Sequence, residues 1–451
     1  MRTFFLTFAL GAASLLGAFP ASATEPTASW GPLILEACAE AAHGPCSMSA
    51  IARRELSGDV AEYSFTLKIG PGPHDVIGLH RVIREDGLQP ARPDSRSGSR
   101  FESGIFFVHG DALGFDAAFL ASAASPSVPD DRALPVFLAE NGVEVWGIDQ
   151  RWALVDAGTT DFRFMQSWGL AMAADDVGIG LAVAAEVRRS HEPMDLLAWS
   201  RGGEVAYTYL NTEASLPAAR RRVKGFIPVD IYVRTDVPAL VEAACARLAQ
   251  RQQSLAQGVY RDTTGLLIST IGRLALSSSD APSPIVPSLS NLQVGYLAGE
   301  ATFSFQGGLE PAPFYHWAGG AFDAHGLPIG LSFTENAYFF DFLAGAAPYM
   351  PVQLIADSEA VICDKEDLPF VDHLGGVTVP VLYIGAGGGV GTFGLYSLSL
   401  LGSTDQESLI VDLRPQSRLA DFGHTDLFLA TDAQTLVWQP LLDWIHGMRT
   451  Q

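Results

Sequence analysis

The chain has 451 residues, 28 of them basic and 50 acidic, for a formal net charge of -22. With 48% hydrophobic and 17% charged residues it is too apolar for a disordered chain and too acidic for a phosphate-backbone binder. Its length admits two or three domains of about 100–200 residues, or one large core carrying an insertion.

Residues 1–23 read as a secretory signal. Arg2 forms a short basic region, an apolar run extends from Phe4 to Phe19, and Ala21-Ser22-Ala23 offers a small-x-small cleavage site. The run falls short of the ~20 residues a spanning helix needs. Cleavage is expected after Ala23, placing the mature chain in a secreted or periplasmic setting, and no later segment reads as a membrane span. In such an oxidising compartment the four cysteines favour two disulfides. The short segment between Cys38 and Cys46 makes that pair the favoured bond, leaving Cys245 for Cys363. No C-x-x-C spacing supports zinc, and no metal is expected.

After a loop-rich start, residues 61–69 and 75–83 are predicted as a hairpin around the turn GPGPH, and a polar loop follows from Asp86. From there apolar strands at 104–110, 143–149, 194–200 and 223–230 alternate with helical stretches at 133–141, 171–189 and from Gly202. This rhythm implies a doubly wound, mostly parallel sheet of α/β class. It stops between Ile231 and Gly376, where a helix at 237–253, a Ser/Pro-rich connector and an aromatic region are read. It resumes with strands at 379–385 and 407–413 and a final helix at 433–448. Residues 24–230 and 377–451 are therefore expected to form the core, and 231–376 a cap inserted before the penultimate strand.

The chemistry centres on Ser200, which lies between an apolar strand and a helix in LLAWSRGGE, with Ala198 and Gly202 two residues to either side. A tight strand-to-helix turn needs small residues there and sets the first helix amides beside the serine. A simple helix-capping serine is the bland alternative.

FVHG at 107–110, WGIDQRW at 146–152, AWSRGG at the turn and DFGHTDLF near the end together resemble the α/β-hydrolase fold family over most of the mature chain. Ala198 departs from the family's usual first glycine. The resemblance implies a carboxylic ester hydrolase with Ser200 as nucleophile and His424 as base. Backbone N–H groups of Arg201 and Asp111 would bind the oxyanion, and His109 would be structural. The acid is less plainly marked, because no carboxylate directly follows the strand at 379–385. Asp230, one strand earlier, is favoured, with Asp405 and Asp421 behind it. Trp199 and Trp152 are pocket candidates. Phe314, Tyr315, Trp317, Phe339, Phe340 and Phe342 suggest an apolar acyl or aryl group or, more simply, the cap's own core. No cofactor is implied, and the expected partner is a small-molecule or polymeric ester with an apolar group.

Two other classes compete. Gly389-x-Gly391-x-x-Gly394, following a strand and with Asp412 on the next, matches a dinucleotide fingerprint and would make an NAD(P)-dependent oxidoreductase. A hydrolase fold without activity could also serve as a binding protein.

Overall fold

The protein is described from a computed structural model covering residues 29–85, 103–188, 192–305, 311–365 and 368–447. The expected signal segment and nearly all of the polar loop from Asp86 lie outside the described residues.

The first strands are β1 (Ser47–Met48), β2 (Ala52–Ser57), β3 (Val60–Lys68) and β4 (Val76–Arg84), followed by β5 (Ser103–Val108), β6 (Val143–Asp149), β7 (Met194–Trp199) and β8 (Val223–Val229). Four short strands come next: β9 (Arg261–Asp262), β10 (Gly320–Phe322), β11 (Pro328–Leu331) and β12 (Met350–Pro351). The chain closes with β13 (Val381–Ala386) and β14 (Gln406–Val411). Ten strands form one sheet in the order β1-β3-β4-β6-β5-β7-β8-β13-β14, with β2 also on β3. The predicted hairpin pairs Val60 with Arg84 and Lys68 with Val76. From β6 to β14 every pairing is parallel. Every residue of β5, β7 and β13 is buried, which is why these strands read as unbroken apolar runs.

Among the described residues, the segment before the hairpin is not loop-rich. A helix, Trp30–Ala41, precedes β1 and β2, and its early Gly31-Pro32 reads as a loop although proline is compatible with a first helical turn. The final helix also departs from expectation: it opens as a π-turn, Gln434–Trp438, and continues as Gln439–Ile445, with Pro440 supplying no N–H at the junction.

No central strand arises between β8 and β13. This stretch forms helices Pro238–Ala256, Thr264–Ser277, Asn291–Glu300, Asn336–Ala344 and Val352–Ile362 and two ribbons, β9 with β12 and β10 with β11. Disulfides join Cys38 to Cys46 and Cys245 to Cys363, the second tying the first and last of these helices together. No helix among the described residues is long and apolar enough to cross a membrane.

Candidate active site

Ser200 sits between the end of β7 and the helix Arg201–Ala214 with φ 56° and ψ -136°. An L-residue held there costs on the order of 1–3 kcal/mol and persists only where the surroundings enforce it. The surroundings are close. A Cβ on Gly202 would lie 2.4 Å from His109 O, and one on Gly110 would lie 2.7 Å from Ser200 Cβ. The strand-end turn after β5 is thus pressed against the serine turn. The Ser200 side chain makes no capping bond, so the helix-capping alternative falls.

Asp230 follows β8 directly, 0% exposed, and also has a positive φ of 49°. Its Oδ1 accepts from the N–H groups of Ala386 and Gly391 at 2.8 Å each, and Oδ2 from that of Val390 at 2.9 Å. His424 Nδ1 completes the set at 2.6 Å from Oδ2. Burial alone would raise the carboxyl's pKa, but the bond to His424 and the backbone N–H groups outweigh it and hold the pKa below the usual range.

His424 is buried on a loop hung from the inserted region. Its N–H donates to His316 O at 3.0 Å, and Thr425 N–H donates to Trp317 O at 2.7 Å. Asp426 pins the same loop: Oδ2 accepts from Gly319 N–H and Gly423 N–H, and Oδ1 from the Thr334 hydroxyl. The imidazole stacks on Trp199 with ring centroids 4.9 Å apart, beside the residue that precedes Ser200. Among the described residues no hydrogen bond joins Ser200 Oγ to His424. In unliganded enzymes such bonds are often long and tighten with substrate.

The other expectations sort clearly. His109 is fully buried and serves its own turn, with Nδ1 donating to Gly110 O and Nε2 accepting from Gln150 N–H. Trp152 packs edge-on to His109 at 5.1 Å and donates to Gln150; it supports that turn, and no described contact brings it to Ser200. The Asp111 carboxylate faces the Arg201 side chain, Nε lying 2.7 and 2.9 Å from its two oxygens. Neither Arg201 N–H nor Asp111 N–H is a donor in a hydrogen bond among the described residues. Of the cap aromatics, Tyr315, Phe339, Phe340 and Phe342 are buried: the three phenylalanines join the main hydrophobic core, Phe342 reaching Trp199, and the Tyr315 ring lies 5.2 Å from that of His424.

Neither acid candidate ranked behind Asp230 is bonded to His424 among the described residues, and Asp421 has the loop-shaping place that its position three residues before His424 suggests. Asp405 O accepts from Val381 N–H at the start of β13, so this residue lies at the opposite end of the sheet. Asp421 Oδ1 accepts from the N–H groups of Leu413, Arg414 and Phe422 and so shapes the loop before His424. The dinucleotide reading is corrected. The amides of the glycine run enclose Asp230, and a Cβ on Gly389 would lie 2.0 Å from Asp230 Oδ2. Beyond β13 come a 3-10 turn, Gly391–Gly394, and a four-residue helix, Leu395–Leu398, where a pyrophosphate site needs a full helix N-terminus. Arg418, which the sequence did not single out, braces this turn by donating to the carbonyls of Gly387, Gly389 and Pro313.

Glu62, His80 and Asp116 are the one group of potential metal ligands among the described residues. The place of a cation is already taken there. His80 lies 2.6 Å from Glu62 and 3.0 Å from Asp149, and Arg54 bonds both Glu62 and Asp116. Burial opposes the charge on His80, but these carboxylates outweigh it and push its pKa up to about 10.

No protein-family model matches the chain, and no curated protein matches it in sequence. Among solved structures, a protein from Sulfolobus solfataricus assigned as a lipase aligns at TM-score 0.59 and 18% identity, over 89% of this chain and 100% of its own. A soluble variant of monoglyceride lipase from Saccharomyces cerevisiae aligns at TM-score 0.41 and 13% identity, over 90% and 97% of the two chains. A carboxyl esterase from Bacillus coagulans gives TM-score 0.40 at 13% identity over 89% and 98%. The strand order together with the first of these likenesses establishes the fold: the chain has the α/β-hydrolase fold.

Proposed function

We propose that the protein is an exported carboxylic ester hydrolase working through an acyl-enzyme on Ser200. The observation that carries this reading is the His424–Asp230 bond of 2.6 Å, set beside a serine held at positive φ on a strand-to-helix turn.

In the first half-reaction Ser200 Oγ attacks the ester carbonyl while His424 takes its proton. The tetrahedral oxyanion is held by the N–H groups of Arg201 and Asp111. The imidazolium then gives its proton to the departing alcohol. Water repeats the sequence on the acyl-enzyme, releasing the acid and restoring the serine. Asp230, kept ionised by its backbone cradle, fixes His424 in the tautomer that leaves its other nitrogen free to accept.

Residues 231–376 would cap this site. The Trp199, Phe342 and Phe428 rings behind the serine favour an apolar acyl or aryl group. The two disulfides fit the export implied by residues 1–23.

Hydrolysis of a short-chain 4-nitrophenyl ester tests the proposal. Turnover by the purified protein that disappears with Ser200→Ala is expected. Equal turnover by wild type and variant would overturn it.

A further inference from the structure

The residue after the nucleophile and the residue after His109-Gly110 carry opposite charges, and the two side chains meet. Arg201 Nε faces both oxygens of Asp111 at 2.7 and 2.9 Å. From this we infer that the Asp111–Arg201 ion pair is a positioning device: a side-chain staple that fixes the distance between the two backbone N–H groups of the oxyanion site. The inference rests on the ester hydrolase reading above and adds to it two positioning residues.

Both ends of the staple sit on backbone that would otherwise relax. Ser200, just before Arg201, has φ 56°, and Ala112, just after Asp111, also has φ 56°. Strain at two neighbouring turns needs ties that hold it. Ala112 is held on its far side by the inserted region, its N–H lying 3.0 Å from Met350 Sδ and its carbonyl accepting from Ala347 N–H at 2.8 Å. On its near side the tie is the Asp111 carboxylate. Arg201 is anchored in turn by Glu204, one helical turn on, at 3.2 Å. An acid next to a developing oxyanion would by itself oppose the reaction. Pairing it with the guanidinium of the other donor residue removes that repulsion and turns the charge into a link between the two turns.

The test compares Asp111→Asn, Arg201→Lys and the double variant with wild type, by kcat and KM on a 4-nitrophenyl ester and by inhibition with an aryl trifluoromethyl ketone, whose adduct carries the oxyanion. A small misplacement of donors costs up to about 100-fold. The expected result is a kcat lowered on the order of 10- to 100-fold in each single variant with little change in KM, and ketone affinity falling in parallel. The double variant should be no worse than the poorer single one. Because Lys retains the charge but not the planar fork, Arg201→Lys should keep the fold, checked by the thermal unfolding midpoint. Unchanged kcat in the single variants, or losses that multiply in the double one, would overturn the staple alone. A wild type inert towards both ester and ketone would overturn the hydrolase reading and the staple with it.

Discussion

Asp230 and Glu300 are equally sealed from water, each 0% exposed, yet their environments treat the proton in opposite ways. Asp230, at the end of a core strand, accepts three backbone N–H bonds and one from His424, and its pKa is held below the usual range. Glu300, in the inserted region, has only the Ala321 backbone to favour its charged form, and burial outweighs this and pushes its pKa up to about 8. Burial is common to both, so the partners decide which acid stays charged. The core builds a site for a permanent carboxylate, whereas the inserted region tolerates an acid that is comfortable only when neutral.

The sharpest way to break the comparison is Asp230→Asn. The amide would remove the charge that holds the imidazole tautomer, and kcat should fall by roughly 10,000-fold, as wrong-tautomer variants of triads do. Near-normal turnover of an aryl ester would move the acid elsewhere. Gly389→Ala comes next, since its Cβ would lie 2.0 Å from Asp230 Oδ2. Displacing the carboxylate should cost about 100-fold in kcat and on the order of 1–3 kcal/mol in urea unfolding.

Glu300→Gln sharpens the other side. In the unfolded chain this carboxyl releases its proton near the model value of 4.5, and in the folded one near about 8. Between those values the unfolded state binds fewer protons, so wild-type stability falls as pH rises through the window. The sign is opposite for Asp230, whose lowered pKa adds stability above the unfolded carboxyl's range, lost only on acidification. The Gln variant should nearly match wild type at pH 5 and exceed it at pH 9, by up to about 4 kcal/mol in urea unfolding. A gap independent of pH would show that Glu300 is not the charge concerned. The smallest effect is expected for Asp405→Asn. Its carbonyl pairs at the start of β13, and β14 alone separates that edge from the site by roughly 20 Å. Turnover should stay within about twofold.

The same contrast explains what could be read from the sequence. Strands such as Val143–Asp149 announce themselves because both faces are covered, so apolar runs end where burial ends. Ser200 and His424 were legible because a strand, a turn of small residues and a late loop bracket them. Asp230 was legible only as a position. What holds its carboxylate charged is the set of amides of Ala386, Val390 and Gly391, contributed by a glycine run more than 150 residues later. In sequence that run imitates a nucleotide loop, since both uses need bare backbone N–H groups turned toward an anion. The helices Thr264–Ser277 and Asn291–Glu300 escaped notice because serine and glycine interrupt their apolar faces. Asp426 and Arg418 were missed because each acts on backbone, the one pinning the His424 loop and the other bracing the glycine turn.

Labelling the folded protein with a fluorophosphonate, followed by peptide mapping, tests the central claim most directly. A stoichiometric adduct on Ser200, lost in the Asp230→Asn and His424→Ala variants, is expected. No adduct, or an adduct on another serine, would contradict the assignment of Ser200 as the nucleophile.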